Sequence, residues 1–350
     1  MIDKIKKIEI EITSDCNAAC PGCARTKPAR DGTLEINHIR LDDLKRILPN
    51  KTYMDGKIIR LCGTLGDPMI HPQISDIVEY FLSNGANVFI STNVGVGTID
   101  TWHKLGMLSN IYQDKLLLQA CIDGHRETNH IYRVNTKFSI IERNLNEYTK
   151  NMYKGTKHKN KWVYIVFDHN EHEIEIAKEH AHRLGLRFLL RTGMRNTLNN
   201  WVAEIGKKDN KQKKVITTTG AKEHKRKKEV FKLDELISNN SIDKDVIKTI
   251  VCRYVHDGEI FISSNQEMWP CCYLWDHQFK NEESMKEILS YQTGWNSLRE
   301  HSIEEILQHP WYDKVLEESW NPTHNKHFSK CIKNCAYNKA YENAQVEQTV

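Results

Sequence analysis

The feature that most narrows the folds open to this chain is an alternation. Six β-type runs, at about residues 6–13, 57–62, 87–92, 115–121, 162–168 and 186–191, are separated by stretches with helical periodicity. Leu41 to Leu48 and Ile74 to Leu82 carry apolar residues at helical spacing, and Ile174 to Leu184 does the same until Gly185 ends it. Strand–helix alternation predicts a parallel α/β sheet, either a barrel or an open sheet. At 350 residues the chain can bury a sizeable core, and its length suits one large unit plus a smaller one.

Residues 206–230 are dense in lysine and poor in apolar side chains, so they read as a solvated loop or linker. The expected division is residues 1–200, a linker or insertion over 201–244, and a second unit over 245–350. In that unit GEIFISSNQEMWPCC reads as a hairpin with Ser263, Ser264 and Asn265 at its turn, followed by short helices and a cysteine-bearing tail. No internal repeat is found.

Apolar residues make up 39% of the chain and charged residues 27%, ordinary for a globular protein, and no apolar run is long enough to span a bilayer. No membrane partner is expected. The N-terminus goes straight into alternating isoleucines without a secretory signal, which predicts a cytoplasmic location. Ten cysteines in a reducing compartment are better suited to metal or catalytic work than to disulfides, and they cluster at the two ends of the chain. A net charge of +4 does not by itself indicate a nucleic-acid partner.

The first strand runs into Cys16-Asn-Ala-Ala-Cys20-Pro-Gly-Cys23, a C-x3-C-x2-C spacing. Three thiolates on one loop can hold three corners of an iron–sulfur cubane and leave the fourth iron without a protein ligand. Structural zinc is the alternative, but it wants four ligands, and no nearby Cys or His falls at a finger-like spacing; His38 is the closest histidine.

This loop resembles the signature of the radical S-adenosylmethionine (SAM) superfamily, over residues 6 to about 195 and again in the tail. The resemblance implies a partial (β/α)6 TIM-like barrel and a SAM-binding 4Fe–4S cluster on Cys16, Cys20 and Cys23. It also implies reductive cleavage of SAM to a 5′-deoxyadenosyl radical, with a reductant such as flavodoxin or ferredoxin as partner. Gly22 departs from the pattern, where many members place an aromatic residue. The run ending Gly63-Thr-Leu-Gly66-Asp67-Pro68 is similar to the family's GGEP motif, with Asp67 in position to accept the ammonium of SAM. Ser91-Thr92-Asn93 is similar to Thr-Asn-Gly, shifted so that Val94 stands where the glycine would be. Gln119-Ala-Cys121-Ile-Asp123-Gly124 resembles Ser-x-Asp-Gly, with Cys121 at the serine position, and the resemblance gives Arg133 the SAM carboxylate.

Cys252, the adjacent Cys271 and Cys272, and the pair Cys331 and Cys335 offer a second set of thiols, four of which would close another cluster or a zinc site. The pattern resembles the SPASM/twitch auxiliary domain in its single-cluster twitch form. The fold expected is therefore α/β, a partial (β/α)6 barrel followed by a small Cys-rich auxiliary-cluster domain. The family pattern makes the cysteine directly after Pro270 the ligand, so Cys271, with Cys252, Cys331 and Cys335, is expected to hold the second 4Fe–4S cluster. Cys62 reads as a core residue.

The expected function is an oxidoreductase-type radical SAM enzyme that oxidises, cross-links or rearranges a small molecule or peptide. The first strand's closeness to the N-terminus counts against a leader-peptide domain. The lysine-rich stretch supports a second expectation, modification of a nucleic-acid base or nucleotide. A third, of another class, is a non-catalytic iron–sulfur or zinc-stabilised binding protein.

Overall fold

A computed structural model of the protein describes residues 2–156, 158–192, 201–205, 212–216, 235, 244–277, 294–320, 328, 330–332, 334–337 and 346–349. The six expected runs are six strands: β1 (Lys7–Ile10), β2 (Ile58–Leu61), β3 (Asn87–Thr92), β4 (Leu116–Cys121), β5 (Lys161–Ile165) and β6 (Arg187–Thr192). Each pairs in parallel with the next. Parallel neighbours need a crossover, and helices supply it at Leu41–Ile47, Ile74–Ser83, Ile99–Tyr112, Phe138–Asn151 and Ile174–Arg183. The result is a partial (β/α)6 barrel.

Alternation along the strands explains the layering. Ile8, Ile10, Ile59, Leu61, Val88, Ile90, Leu116 and Leu118 are 0–1% exposed and belong to one apolar cluster with the helix residues Ile77, Phe81, Leu105, Ile141 and Leu145. Each such side chain contributes about 1.5–3 kcal/mol by leaving water. The residues between them, Arg60, Phe89, Ser91, Gln119 and Cys121, face the other way and remain half-buried on the barrel's inner side. The third helix opens on Thr98, whose hydroxyl accepts from the Thr101 N–H at 3.1 Å. The last closes at Gly185, whose φ of 74° is the left-handed turn a glycine takes freely.

The stretch expected as a linker contains structure. β7 (Trp201–Ile205) and β8 (Gln212–Ile216) form an antiparallel ribbon, so lysine density did not exclude a strand there. The rest of residues 206–230 lies outside the described residues. The hairpin expected near residue 260 is present as β9 (Glu259–Ile262) and β10 (Met268–Trp269). It does not stand apart: β9 lies parallel to β1, so the hairpin extends the barrel sheet. At the far edge β11 (Val346–Thr349) runs antiparallel to β6, giving a nine-stranded sheet with the order β10-β9-β1-β2-β3-β4-β5-β6-β11. The apolar core is correspondingly continuous, reaching from Ile2 through the barrel to Trp311 and Cys331. Among the described residues no helix is long and apolar enough to cross a membrane.

Candidate active site

The loop leaving β1 carries the three N-terminal cysteines over the C-terminal ends of the strands, where barrel sites gather. Its backbone is zipped to the turn after β2. The Asp67 N–H donates to Asp15 O at 2.7 Å, and a Cβ on Gly66 would sit 1.8 Å from Thr13 O. Only glycine permits that approach. Arg25 pins the loop from the other side through Asp15 at 3.1 Å.

Each thiol meets a different strand end. Cys16 Sγ accepts from the Ala18 N–H at 3.4 Å and from Asn93 Nδ2 at 3.7 Å. Cys20 Sγ accepts from Arg133 Nη1 at 3.8 Å, and the Cys23 thiol points at Thr64 O at 4.0 Å. Burial pushes the Cys16 thiol up to about 12, with Asp67, Cys20 and Cys23 adding to the rise. Burial likewise pushes Cys20 up to about 11, against the pull of Arg133. Side-by-side buried thiols resist ionising on their own, and a bound cationic centre is what would hold them as thiolates.

Asp67 is buried and already engaged. Its Oδ1 accepts from the Thr92 hydroxyl at 2.8 Å and the Met69 N–H at 3.0 Å, and its Oδ2 from the Asn93 N–H at 2.8 Å. It thus joins the β2 turn to the end of β3. Val94 follows with φ 62°, a conformation glycine enters freely and a β-branched residue resists; its N–H donates to Thr92 Oγ1 at 3.0 Å. Arg133 binds Asp123 Oδ2 at 2.6 Å, and Asp123 is fully buried. Burial works against the guanidinium's charge, but Asp123 and the thiols Cys20 and Cys121 more than offset it and hold it protonated. Cys121 closes β4 with its sulfur 3.5 Å from Ser91 Oγ and 3.6 Å from Gln119 Nε2.

The second set of thiols is brought together by tertiary structure. Cys252 precedes the helix Arg253–Asp257, Cys271 follows β10, and Cys331 and Cys335 lie on the tail. The Val251 N–H donates to Cys335 O at 2.9 Å, tying the first stretch to the last. After burial, the groups that raise the Cys271 thiol are Cys335 and Cys252, and those that raise Cys331 are Cys335, Cys271 and Cys252. All four therefore share one neighbourhood. After burial, the Cys272 thiol feels Glu9 first, then Cys271, Arg253 and Cys62.

No protein-family model matches the chain, and no curated protein matches it by sequence. Solved structures do match. Streptococcus suis SuiB bound to S-adenosylmethionine superposes with a TM-score of 0.54 at 12% identity, over 89% of this chain and 67% of SuiB. SuiB bound to its precursor peptide SuiA superposes at 0.53, with 12% identity, over 89% of this chain and 66% of that one. Native anSMEcpe with bound AdoMet superposes at 0.51 with 13% identity, over 98% of this chain and 93% of that one. The chain shares the partial-barrel fold of these structures.

Within that fold, the residues singled out from the sequence converge as follows. Cys16, Cys20, Cys23, Gly66, Asp67, Thr92, Asn93 and Arg133 form one contiguous site, and Cys121 lies beside it on the inner face. Cys252, Cys271, Cys331 and Cys335 gather apart from it. Two acids escaped the sequence reading. Asp123 was read only as part of a motif, yet it holds Arg133 and also accepts from the Ile165 N–H at 2.8 Å. Glu11, 1% exposed, accepts from the Leu65 N–H at 2.6 Å, the Gly66 N–H at 3.2 Å and Ser264 Oγ at 3.4 Å. The glutamates that alternate with isoleucines in the first strand run, just ahead of the cysteine loop, were the available signal.

Proposed function

We propose that the protein is a radical SAM enzyme. It would cleave SAM reductively and abstract hydrogen from a small molecule or peptide, which is then oxidised, cross-linked or rearranged. The carrying observation is convergence: the loop after β1, the turn after β2, the end of β3 and the segment after β4 meet at three thiols on one loop. Cys16, Cys20 and Cys23 suit a cluster with one iron left for an exogenous ligand. When bound there, a 4Fe–4S cluster supplies the electron that breaks SAM's sulfonium bond.

The chain's own residues divide the remaining work. Arg133 offers charge-assisted bonds to a carboxylate beside Cys20, with Asp123 fixing its direction. Asp67 acts as a positioning residue, since three protein donors already occupy it, and the glycine-rich backbone around Gly63 and Gly66 is left to approach SAM's amino group. Asn93 donates to Cys16 and to Asn17 Oδ1 at 2.9 Å, which orients the loop. Cys252, Cys271, Cys331 and Cys335 suit a closed auxiliary cluster that exchanges electrons with the substrate and does not bind SAM.

The test is anaerobic reconstitution followed by reduction in the presence of SAM. Formation of 5′-deoxyadenosine without added substrate is expected. Iron-loaded, reduced protein that forms none, or tightly held zinc at the Cys16 loop, would overturn the reading.

A further inference from the structure

The inner face of the barrel carries a cation with one buried donor that has no hydrogen-bond partner among the described residues. Arg60 lies mid-way along β2, in register with Glu9 of β1 and Phe89 of β3, so the three side chains share the inner face. Its guanidinium carbon sits 5.4 Å from the centroid of the Phe89 ring, a cation–π contact that orients the group flat. Its Nε is buried and makes no hydrogen bond among the described residues. Leaving a buried donor unpaired costs about 1–3 kcal/mol.

Glu9 stands opposite and feels its charge, but makes no ion pair with it among the described residues. Glu9 is 5% exposed, and burial, followed by the charge of Glu259, holds its carboxyl above the usual carboxylate range. Glu259 shows what an answered charge looks like on the same face: Lys7 reaches it at 3.0 Å and Arg253 at 2.9 Å.

We propose that Arg60 anchors a substrate subsite inside the barrel and takes a carboxylate of the substrate. The use of that subsite rests on the radical SAM reading. A planar guanidinium lying on an aromatic ring keeps its edge for a bidentate acceptor, which is carboxylate geometry. A phosphate dianion would meet the Glu9 carboxylate opposite with more repulsion than a carboxylate does, so a single negative charge fits better. Gln119 Nε2 and Ser91 Oγ, 3.1 Å apart on the neighbouring strands, add a polar pair on the way to the strand ends. Arg60 is one residue before Leu61, the last of β2, so the anchor lies roughly 3 Å below the end of that strand, at a rise of about 3.3 Å per residue. The carboxylate end would then sit just inside the barrel mouth while the reacting carbon points toward the Cys16 loop.

The probe is phenylacetate, with phenylacetamide as its neutral counterpart. Binding is followed by ligand-observed NMR on the anaerobically reconstituted full chain, with SAM at saturation so that the SAM carboxylate site is filled. Wild type should bind the acid at least tenfold more tightly than the amide. Arg60→Met should weaken the acid at least tenfold, and Arg60→Lys less, because the charge survives and the fork does not. Equal binding of acid and amide, or unchanged acid binding in both variants, overturns the assignment. Tighter binding of phenyl phosphate than of phenylacetate overturns the choice of carboxylate. If Arg60→Met does not fold, the acid–amide pair on wild type and the Arg60→Lys variant decide. SAM cleavage by wild type is read in parallel. Its absence would remove the radical SAM reading whatever the probe does, while its presence with an indifferent probe removes Arg60 alone.

Discussion

Cys16, Cys20 and Cys23 sit on one loop, and three of their contacts reach in from other strand ends as Asn93, Arg133 and Thr64. Cys252, Cys271, Cys331 and Cys335 come instead from three distant stretches, in a region packed with aromatic rings, where Trp295 stacks on Trp311 at 5.0 Å and Trp311 on Phe328 at 6.4 Å. A guanidinium and a side-chain amide within reach of the sulfurs can serve a polar molecule bound there. Rings serve enclosure. The contrast is between a site built to admit a ligand and one built to exclude water, and four tests show how far it holds.

The largest effect is expected from the triple variant Cys16→Ala/Cys20→Ala/Cys23→Ala. Formation of 5′-deoxyadenosine should vanish, and iron should fall from about eight per chain to about four if both sites hold cubanes. Loss of all the iron would mean that the second site depends on the first, and the two regions would not be separable.

The second test divides adjacent residues. Cys271 feels Cys335 and Cys252 and in turn acts on Cys331, whereas Cys272 feels Glu9 before Cys271. Cys271→Ala should lose about half the iron, on the same cubane arithmetic, and keep SAM cleavage, with product formation falling. Cys272→Ala should keep its full iron. The reverse pattern would exchange the two assignments.

These cases also show why one region was easier to read than the other. C-x3-C-x2-C is local, so the sequence alone brings those thiols together, and the strand alternation put the loop at the right end of the sheet. The four later cysteines depend on β9 joining β1, a pairing no local pattern announces. β11 was missed because its strand, Val-Glu-Gln-Thr, is short and mostly polar, and it lies at the sheet edge. Asp67 was legible as a motif residue but not as a strut, since its donors Thr92 and Asn93 come from a different strand.

Arg133→Ala gives a smaller effect than either cysteine test. It removes a charged donor next to Cys20 and leaves Asp123 buried without its partner. SAM affinity should fall by roughly tenfold or more, as a lost charge-assisted bond of about 1.5–3 kcal/mol implies. Arg133→Lys should recover part of it. Unchanged SAM affinity in the alanine variant would refute the role. Because the variant also exposes the cost of an unpaired buried acid, its iron content and unfolding midpoint should be measured alongside.

The smallest expected effect concerns Glu11, a buried carboxylate that touches both regions, through Leu65 and Gly66 on one side and Ser264 on the other. Burial pushes its pKa up from 4.5 to about 7, against the pull of the Leu65, Gly66 and Thr64 N–H groups and Ser264. A carboxyl with a folded-state value above its unfolded one favours the folded state most when protonated. Its stabilising contribution is therefore complete below about pH 4.5 and is lost as pH rises through about 7, by roughly 3 kcal/mol at most. Glu11→Gln keeps an acceptor for the Leu65 N–H and cannot ionise. Unfolding of wild type and variant should be followed anaerobically between pH 5 and pH 8. The wild type should lose ground to Glu11→Gln as the pH rises, with the largest gap at the alkaline end. Parallel curves would mean that the carboxylate is not buried at this junction, and the two regions would then be joined by the β1–β9 pairing and the apolar core without it.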